Sequence, residues 1–223
     1  MGTLLNRRRY MGGKALPYDA EVEYLGNTGT QYIDTGVMPD QDLDFYAEFS
    51  IPQENANVNI TFFLVWGQTG GTNDGSYGLM NVPNSNTFQF RRWGRIWINK
   101  TSWQMLPDVK YTFHSDANKI YIDNTLKGTG SYTGDFQISY TLPLFAQLDG
   151  PHSYQSNHGI TCSKAFKVYR FKLYSSGVLV RDFIPVRKGT TGYLYDAVSE
   201  TLYGNSGTGD FIYGNDKTLD SCQ

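Results

Sequence analysis

The sequence predicts an all-β protein built as an antiparallel β-sandwich, and three features of its composition lead to this prediction. Aromatic residues make up 15% of the chain, with 17 Tyr and 13 Phe, and such residues suit half-buried strands. The 24 Gly, together with many Asn and Asp, suit tight turns. Strong helix formers are scarce, since the 223 residues include only five Glu. A chain of this length can bury a sizeable core without disulfide bonds.

Short apolar runs between turn residues predict the strands, starting near residue 20. Residues 43–51 alternate apolar and polar side chains, which is typical of a strand with one buried face. Residues 61–66 are continuously apolar, which indicates burial on both faces. The other predicted strands are 31–35, 87–92, 119–123, 125–127, 165–174, 178–186, 193–196, 201–204 and 210–213.

Two short turns join predicted strands into hairpins. Asp123-Asn124 is a two-residue connection between residues 119–123 and 125–127, and Asn and Asp tolerate the left-handed backbone that such turns need. Residues 175–177, Ser-Ser-Gly, join the two longest predicted strands. Residues 193–196 and 201–204 are predicted to form a last hairpin.

Charge divides the chain into a basic arm and an acidic body. Residues 1–17 contain Arg7, Arg8, Arg9 and Lys14 and no acidic residue. Because the whole chain carries −2, the remaining residues carry −6. We therefore predict an N-terminal arm over residues 1–20, a sandwich domain over 21–214 and a tail over 215–223. No apolar stretch resembles a signal peptide or approaches the roughly 20 residues of a membrane span, so we expect no cleaved leader and no membrane partner.

Arrangements of catalytic residues are absent from the sequence. Glycoside hydrolysis needs two carboxyl groups about 5–5.5 Å apart in retaining enzymes. Glu21 and Glu23 have a two-residue step but no third acid at a suitable spacing. His114, Ser115 and Asp116 are adjacent, and neighbours on a strand point to opposite faces, so they cannot form a triad. We expect the protein not to be an enzyme.

Metal and cofactor motifs are also weak, and no cofactor is assigned. Asp149, His152, His158 and Cys162 could ligate zinc, but their spacing matches no standard zinc site. The run Asp40-Gln-Asp-Leu-Asp44 resembles the start of a calcium loop, yet residue 45, where glycine is required, is Phe. Calcium binding by other loop carboxylates stays open and unassigned. Two cysteines, Cys162 and Cys222, are too few for a disulfide framework, and their state is left open.

The segment 88–103 is the strongest candidate for a binding surface. Its sequence, FQFRRWGRIWINKTSW, mixes aromatic and hydrogen-bonding side chains, as sugar sites and protein interfaces do. On a straight strand, Arg91, Trp93, Arg95 and Trp97 would share one face, with Trp103 following. If Trp93 and Gly94 instead form a turn, Phe90 and Trp97 would pair across a hairpin as ordinary core. Core, protein interface and glycan site all remain open on the sequence.

Several of these segments resemble one family of β-sandwiches. The segments are GTQYIDTG (29–36), IYIDNTLKG (120–128), KVYRFKLYSSGVLVRDFIPV (167–186) and GYLYDAVSETLYGNSGTGDF (192–211). They resemble LamG-like, concanavalin A-like jelly rolls, over roughly residues 21–214. The resemblance implies a jelly-roll topology in which residues 31–35 and 210–213 are neighbours in one sheet. Some glucanases of this fold use an E-x-D-x-x-E run, which this chain lacks.

The N-terminal segments, LLNRRRYMGG (4–13) and LPYDAEVEYL (16–25), resemble proteins encoded by tailed phages of gut Bacteroidales, including crAss-like phages. That resemblance implies a non-enzymatic virion protein, a head fibre or capsid decoration on the particle surface. Its partners would be other virion proteins, and a homo-oligomer, with a trimer as first choice, is expected.

The arm would dock through Arg7, Arg8, Arg9, Tyr10 and Met11, because guanidinium groups bind carboxylates in a bidentate manner. Packaged DNA is the less favoured partner, since the acidic body repels phosphate. Two alternative functions remain. One is a carbohydrate-binding, lectin-like module for host or gut glycans, and the other, disfavoured, is a glucanase-type hydrolase.

Overall fold

The computed structural model describes residues 10–11, 14–67, 75–82, 87–92, 94–99, 103–131, 134–149 and 159–218. Apart from one 3-10 turn, Gln53–Asn55, the regular structure in these ranges consists of strands, which confirms the all-β prediction. In chain order they are β1 (Tyr10–Met11), β2 (Lys14–Ala15), β3 (Ala20–Glu21), β4 (Leu25–Gly26), β5 (Ile33–Asp34), β6 (Leu43–Ser50), β7 (Ile60–Trp66), β8 (Ser76–Val82), β9 (Thr87–Arg92), β10 (Gly94–Asn99), β11 (Tyr111–Asp116), β12 (Lys119–Ile122), β13 (Thr125–Thr129), β14 (Pro143–Leu144), β15 (Ala146–Asp149), β16 (Gly159–Cys162), β17 (Lys167–Ser175), β18 (Val178–Lys188), β19 (Thr191–Asp196), β20 (Thr201–Tyr203) and β21 (Ile212–Tyr213).

Two large sheets form the sandwich, as predicted. The eleven-stranded sheet runs in the order β13-β12-β11-β6-β17-β18-β19-β20, with β3 on β18, β4 on β17 and β21 on β4. The eight-stranded sheet runs β10-β9-β8-β7-β14-β5, with β15 on β7 and β16 on β15. The described pairings are antiparallel except that of β15 with β7, which is parallel.

Strand alternation places an aromatic core between the sheets. On β6, Leu43, Phe45, Ala47 and Phe49 are buried. The alternating polar residues between them, Asp44, Tyr46 and Glu48, are partly exposed, as the sequence predicts. On β7, every residue except Thr61 is buried, which confirms the predicted two-sided burial. Phe rings from both sheets pack against one another at the centre, where Phe49 and Phe62 stack with centroids 4.9 Å apart.

The two predicted hairpin turns are confirmed by their backbone angles. Asp123 and Asn124 have φ values of 48° and 61°, and Ser176 and Gly177 have 49° and 76°. Two successive left-handed residues form the turn whose twist matches that of the flanking strands. Both turns belong to the eleven-stranded sheet.

The predicted pairing of residues 31–35 with residues 210–213 is wrong. β5 lies in the eight-stranded sheet beside β14, whereas β21 lies in the other sheet beside β4. The chain passes from one sheet to the other between β4 and β5. Residues 31–35 and 210–213 therefore contact each other through loop residues and not through paired strands. Loop hydrogen bonds make the contact: the Thr208 N–H donates to the Thr30 carbonyl (3.0 Å) and the Gln31 side chain donates to the Asp210 carbonyl (3.0 Å).

Both ends of the predicted domain extend further along the chain in the structure. Tyr18, placed in the predicted arm, is buried against the outer face of the eleven-stranded sheet, with its ring 5.0 Å from that of Tyr195. Asp216, placed in the predicted tail, forms a β-bridge with Val22 and pairs with Arg187. No helix in the part of the chain that the structure describes is long and apolar enough to cross a membrane.

Candidate functional site

The outer face of the eight-stranded sheet carries a cluster of polar and aromatic side chains. Core residues alternate along its strands, such as Val65 on β7, Tyr77 on β8 and Phe90 on β9. Because neighbouring residues on a strand point to opposite faces, the residues between them point away from the core. We call these residues, which point away from the core, the Trp66 cluster, and they are Leu64, Trp66, Ser76, Gln89, Arg91, Gln147 and Asp149. All of them except Gln147 are buried.

Strand register brings the cluster together from four strands. Trp66 stands between Ser76 of β8 and Asp149 of β15. One step along β7, Leu64 stands between Gly78 and Gln147, and Gly78 in turn faces Arg91 of β9. These pairings join residues up to 83 positions apart in the chain, so the pairing of the strands alone creates the cluster.

The centre of the cluster is a cation–π contact. The guanidinium carbon of Arg91 lies 4.4 Å from the centroid of the Trp66 indole. Arg91 and Trp66 belong to strands on either side of β8, and the residue of β8 that faces Arg91 is Gly78. Because glycine has no side chain, Arg91 can cross β8 to the indole. Its Nη2 also donates a hydrogen bond to the Gln89 Oε1 at 3.1 Å, which helps to fix the guanidinium plane.

Hydrogen-bonding groups of the cluster are left without a partner among the residues that the structure describes. The Trp66 Nε1 and the Ser76 Oγ are both buried and make no hydrogen bond within the described part of the chain. A buried polar group without a partner costs about 1–3 kcal/mol, so such groups are rare unless something outside the chain satisfies them. A ligand with several hydroxyl groups offers acceptors for the indole N–H and donors or acceptors for the serine hydroxyl.

A carboxylate at the edge of the cluster is held in a fixed orientation. The Gln147 side-chain amide donates to both carboxylate oxygens of Asp149, each at 2.9 Å. Asp149 is buried, with 4% of its surface exposed. A pre-oriented carboxylate accepts hydrogen bonds from hydroxyl groups without loss of its own side-chain entropy.

The structure separates the residues of the predicted 88–103 surface. β9 and β10 form an antiparallel hairpin, so this segment consists of two paired strands and not of one straight strand. The expected pairing of Phe90 with Trp97 is wrong, because Phe90 faces Ile96 and Trp97 faces Gln89.

The other predicted surface residues have different locations. Arg91 belongs to the Trp66 cluster, and Arg95 stands opposite it in the ladder. Trp103 packs edge-on against Phe88 and Tyr111, with centroids 5.2 and 5.3 Å away, and therefore belongs to the core margin. Trp93 lies outside the described residues.

Sequence reasoning missed most of the cluster. Trp66 ends a continuous apolar run, and such a run does not reveal which of its residues point outward. No pattern in the sequence indicated that Ser76 belongs to a polar cluster. The available signal was the pair Gln147 and Asp149, two residues apart on one face of a strand.

The possible zinc ligands are not assembled among the described residues, where no group of three or more His, Cys, Asp or Glu side chains could hold an ion. Asp149 and Cys162 lie on paired strands, and His152 and His158 lie outside the described residues. Cys162 has a free thiol whose pKa is raised by burial, and Cys222 lies outside the described residues.

The predicted docking arm stays a prediction. Arg7, Arg8 and Arg9 lie outside the described residues, and Tyr10 and Met11 form β1, which pairs with β2.

Comparison with known proteins supports the fold. No protein-family model and no curated protein matches the chain. Among solved structures it is similar to a "putative carbohydrate binding protein" from Bacteroides ovatus ATCC 8483, with a TM-score of 0.54 and 14% sequence identity. The match covers 90% of this chain and 61% of that one, so this chain spans about three fifths of its neighbour's length. At this identity the likeness establishes the β-sandwich fold alone.

Proposed function

We propose that this protein binds carbohydrate, without catalysis, through the Trp66 cluster on the outer face of the eight-stranded sheet. The observation that carries the proposal is the indole of Trp66, fixed by Arg91, with its unpaired Nε1 beside the unpaired Ser76 hydroxyl. The description of the structural neighbour as carbohydrate-binding gives independent support. Of the functions that the sequence left open, this one accounts for the most observations.

The chemistry of the cluster suits a sugar. Indole offers a flat apolar surface with one N–H at its edge, and sugars present both C–H faces and hydroxyl groups. Arg91, Gln89, Gln147 and Asp149 supply planar donors and acceptors around that surface, as a small number of polar groups do in ligand sites generally. Their mutual hydrogen bonds hold them in place before a ligand arrives, which lowers the entropy cost of binding.

The carboxylate content of the cluster favours binding over hydrolysis. Glycoside hydrolases place two carboxyl groups on either side of the scissile bond. The Trp66 cluster, as defined by its described residues, contains a single carboxylate, that of Asp149. A ligand bound there would meet one carboxylate and no second carboxyl group to act as the paired acid.

Replacing Arg91 with methionine should weaken glycan binding by at least about tenfold, because it removes the guanidinium that packs on the Trp66 indole. The intact protein is first screened against an array of bacterial, plant and host glycans, and the strongest ligand is then titrated by calorimetry. Lys188→Met is the matched control, since Lys188 is an exposed cation at the end of β18 in the other sheet. The proposal fails if no arrayed glycan binds, or if both variants bind equally well.

Ser76→Ala provides a second test that separates binding from folding. Because the Ser76 Oγ has no hydrogen-bond partner among the described residues, its removal should leave the melting temperature unchanged or higher while lowering glycan affinity. A lower melting temperature would instead indicate that the hydroxyl stabilises the fold.

We also propose, from the resemblance and the charge of the arm, that residues 1–13 attach the protein to a particle. Deletion of these residues should leave the melting temperature unchanged, because β1 pairs with β2 and with no strand of either large sheet. The deleted form should no longer sediment with phage particles that retain the full chain. If the deleted form joins the particles as fully as the intact protein does, attachment lies elsewhere in the chain. If intact particles never contain the protein, the proposal of a virion role is wrong.

A further inference from the structure

The outer face of the eleven-stranded sheet carries a groove that lies on the opposite side of the sandwich from the Trp66 cluster. It encloses about 410 Å³ and opens to solvent. This volume falls within the roughly 300–1,000 Å³ of typical small-molecule sites. Its chemistry-bearing lining residues are Asp44, Tyr46, His114, Asp116, Asn124 and Tyr174.

Aromatic rings from neighbouring strands form the floor of the groove. Tyr46 of β6 stands opposite His114 of β11, and Tyr174 of β17 stands opposite Asp44. The imidazole of His114 stacks on the ring of Tyr121, with centroids 4.5 Å apart and planes 5° from parallel. Burial lowers the pKa of His114, although Asp116 and Asp44 act in the opposite direction, and the lowered pKa favours the neutral imidazole. All of these rings are partly exposed, which leaves surface for a ligand to contact.

One wall of the groove is a carboxylate held in place by the fold. The Asp44 Oδ1 accepts hydrogen bonds from the Ser115 hydroxyl (2.8 Å) and the Ala117 N–H (3.0 Å). Arg92, buried behind the groove, places its Nη1 3.5 Å from the same oxygen. These contacts use Oδ1 and fix the plane of the carboxylate, so Asp44 is pre-organised as an acceptor.

The opposite rim adds further polar groups. Asp116 is exposed and has Lys119 as a distant ion partner, with 3.8 Å between the Lys119 Nζ and the Asp116 Oδ2. Asn124 sits in the left-handed position of the β12–β13 turn, where it is exposed and offers both an amide donor and an amide acceptor. The lining residues therefore include two carboxylates and no lysine or arginine.

We infer that this groove is a second saccharide site, selective for an uncharged pyranose unit. Aromatic rings contact the C–H face of a pyranose, and fixed carboxylate and amide groups accept and donate hydrogen bonds to its hydroxyls. Uronic and sialic acids are disfavoured, because their carboxylate would approach Asp44 and Asp116. The site is independent of the Trp66 cluster, and its presence would let one molecule hold two glycan chains and gain avidity on a polymer.

The test is an amide chemical-shift titration of the whole chain with the methyl glycosides of glucose, galactose and mannose. At least one of them should shift the amides of residues 44–46, 114–116 and 174–177 in a saturable manner, and glucuronic acid should bind at least about tenfold more weakly. Tyr174→Ala should reduce the affinity by at least about tenfold, and Tyr174→Phe should restore it. Tyr169→Ala is the matched control, since Tyr169 lies on the same strand but outside the groove.

The inference is overturned if none of the three glycosides shifts the groove amides, if glucuronic acid binds equally well, or if Tyr174→Ala and Tyr169→Ala have the same affinity. Stronger binding of glucosamine, a cation at pH 7, than of glucose would indicate a site for cationic ligands instead. Arg91→Met should leave the groove titration unchanged. If no glycan binds at the Trp66 cluster but the groove binds a glycoside, the function proposed above is refuted and the groove site stands. If the Trp66 cluster binds a glycan but the groove binds none, the groove site is refuted and the proposed function stands.

Discussion

Replacing Phe49 with alanine should lower the free energy of unfolding by about 3–5 kcal/mol, the cost of removing a large buried aromatic side chain. Phe49 is fully buried on β6 and stacks on Phe62 of the opposite sheet, with centroids 4.9 Å apart and planes 2° from parallel. It also meets Phe166 edge-on at 5.5 Å and lies 6.2 Å from Phe171. The ring therefore links the two sheets, and alanine would leave a cavity at their centre.

The loss is measured by urea denaturation followed by tryptophan fluorescence and circular dichroism. Val198→Ala is the control for a truncation without burial, because Val198 is 46% exposed, and it should change stability by less than about 0.5 kcal/mol. A loss below about 1 kcal/mol for Phe49→Ala would show that the centre of the sandwich repacks easily.

Replacing Asp196 with alanine should cost about 3–5 kcal/mol, the penalty for breaking a buried ionic and hydrogen-bonded network. Asp196 has no exposed surface. Its Oδ1 accepts from the Asp182 N–H at 2.8 Å and the Val198 N–H at 3.1 Å. Its Oδ2 accepts from the Ser199 hydroxyl at 2.6 Å and lies 3.7 Å from the Arg181 Nε. One side chain thus organises the turn after β19 and ties it to β18.

Asp196→Asn separates the hydrogen bonds that Oδ1 accepts from the charge and the contacts of Oδ2. The asparagine oxygen can still accept from Asp182 and Val198, while the ion pair with Arg181 is lost. We expect this variant to be clearly more stable than Asp196→Ala in the same denaturation experiment. Equal losses for the two variants would assign the stabilisation to the contacts of Oδ2 with Ser199 and Arg181 and not to the hydrogen bonds that Oδ1 accepts.

Local pattern in the sequence determined several of the strands and two of the hairpin turns, although it did not identify β8, β11, β15 or β16. The alternation from Leu43 to Phe49 identified both β6 and the face that it buries. Asp123-Asn124 and Ser176-Gly177 identified two turns, because few residues tolerate a left-handed backbone and these turns require two in succession. Such features depend on neighbours in the chain, so they can be read without knowledge of the rest of the fold.

Tertiary structure alone decided which strands became neighbours and which side chains reached the outer faces. The sequence predicted a strand at residues 31–35, but the sheet to which this strand belongs depends on where the chain crosses from one sheet to the other. Trp66 and Trp103 are both tryptophans near apolar segments, yet one lies in the outer cluster and the other packs at the core margin. The physical reason is that a period of two tells which residues share a face, whereas packing against distant strands sets the register and decides which face is buried. Both proposed sites combine side chains from three or more strands, and no local pattern specifies such a combination.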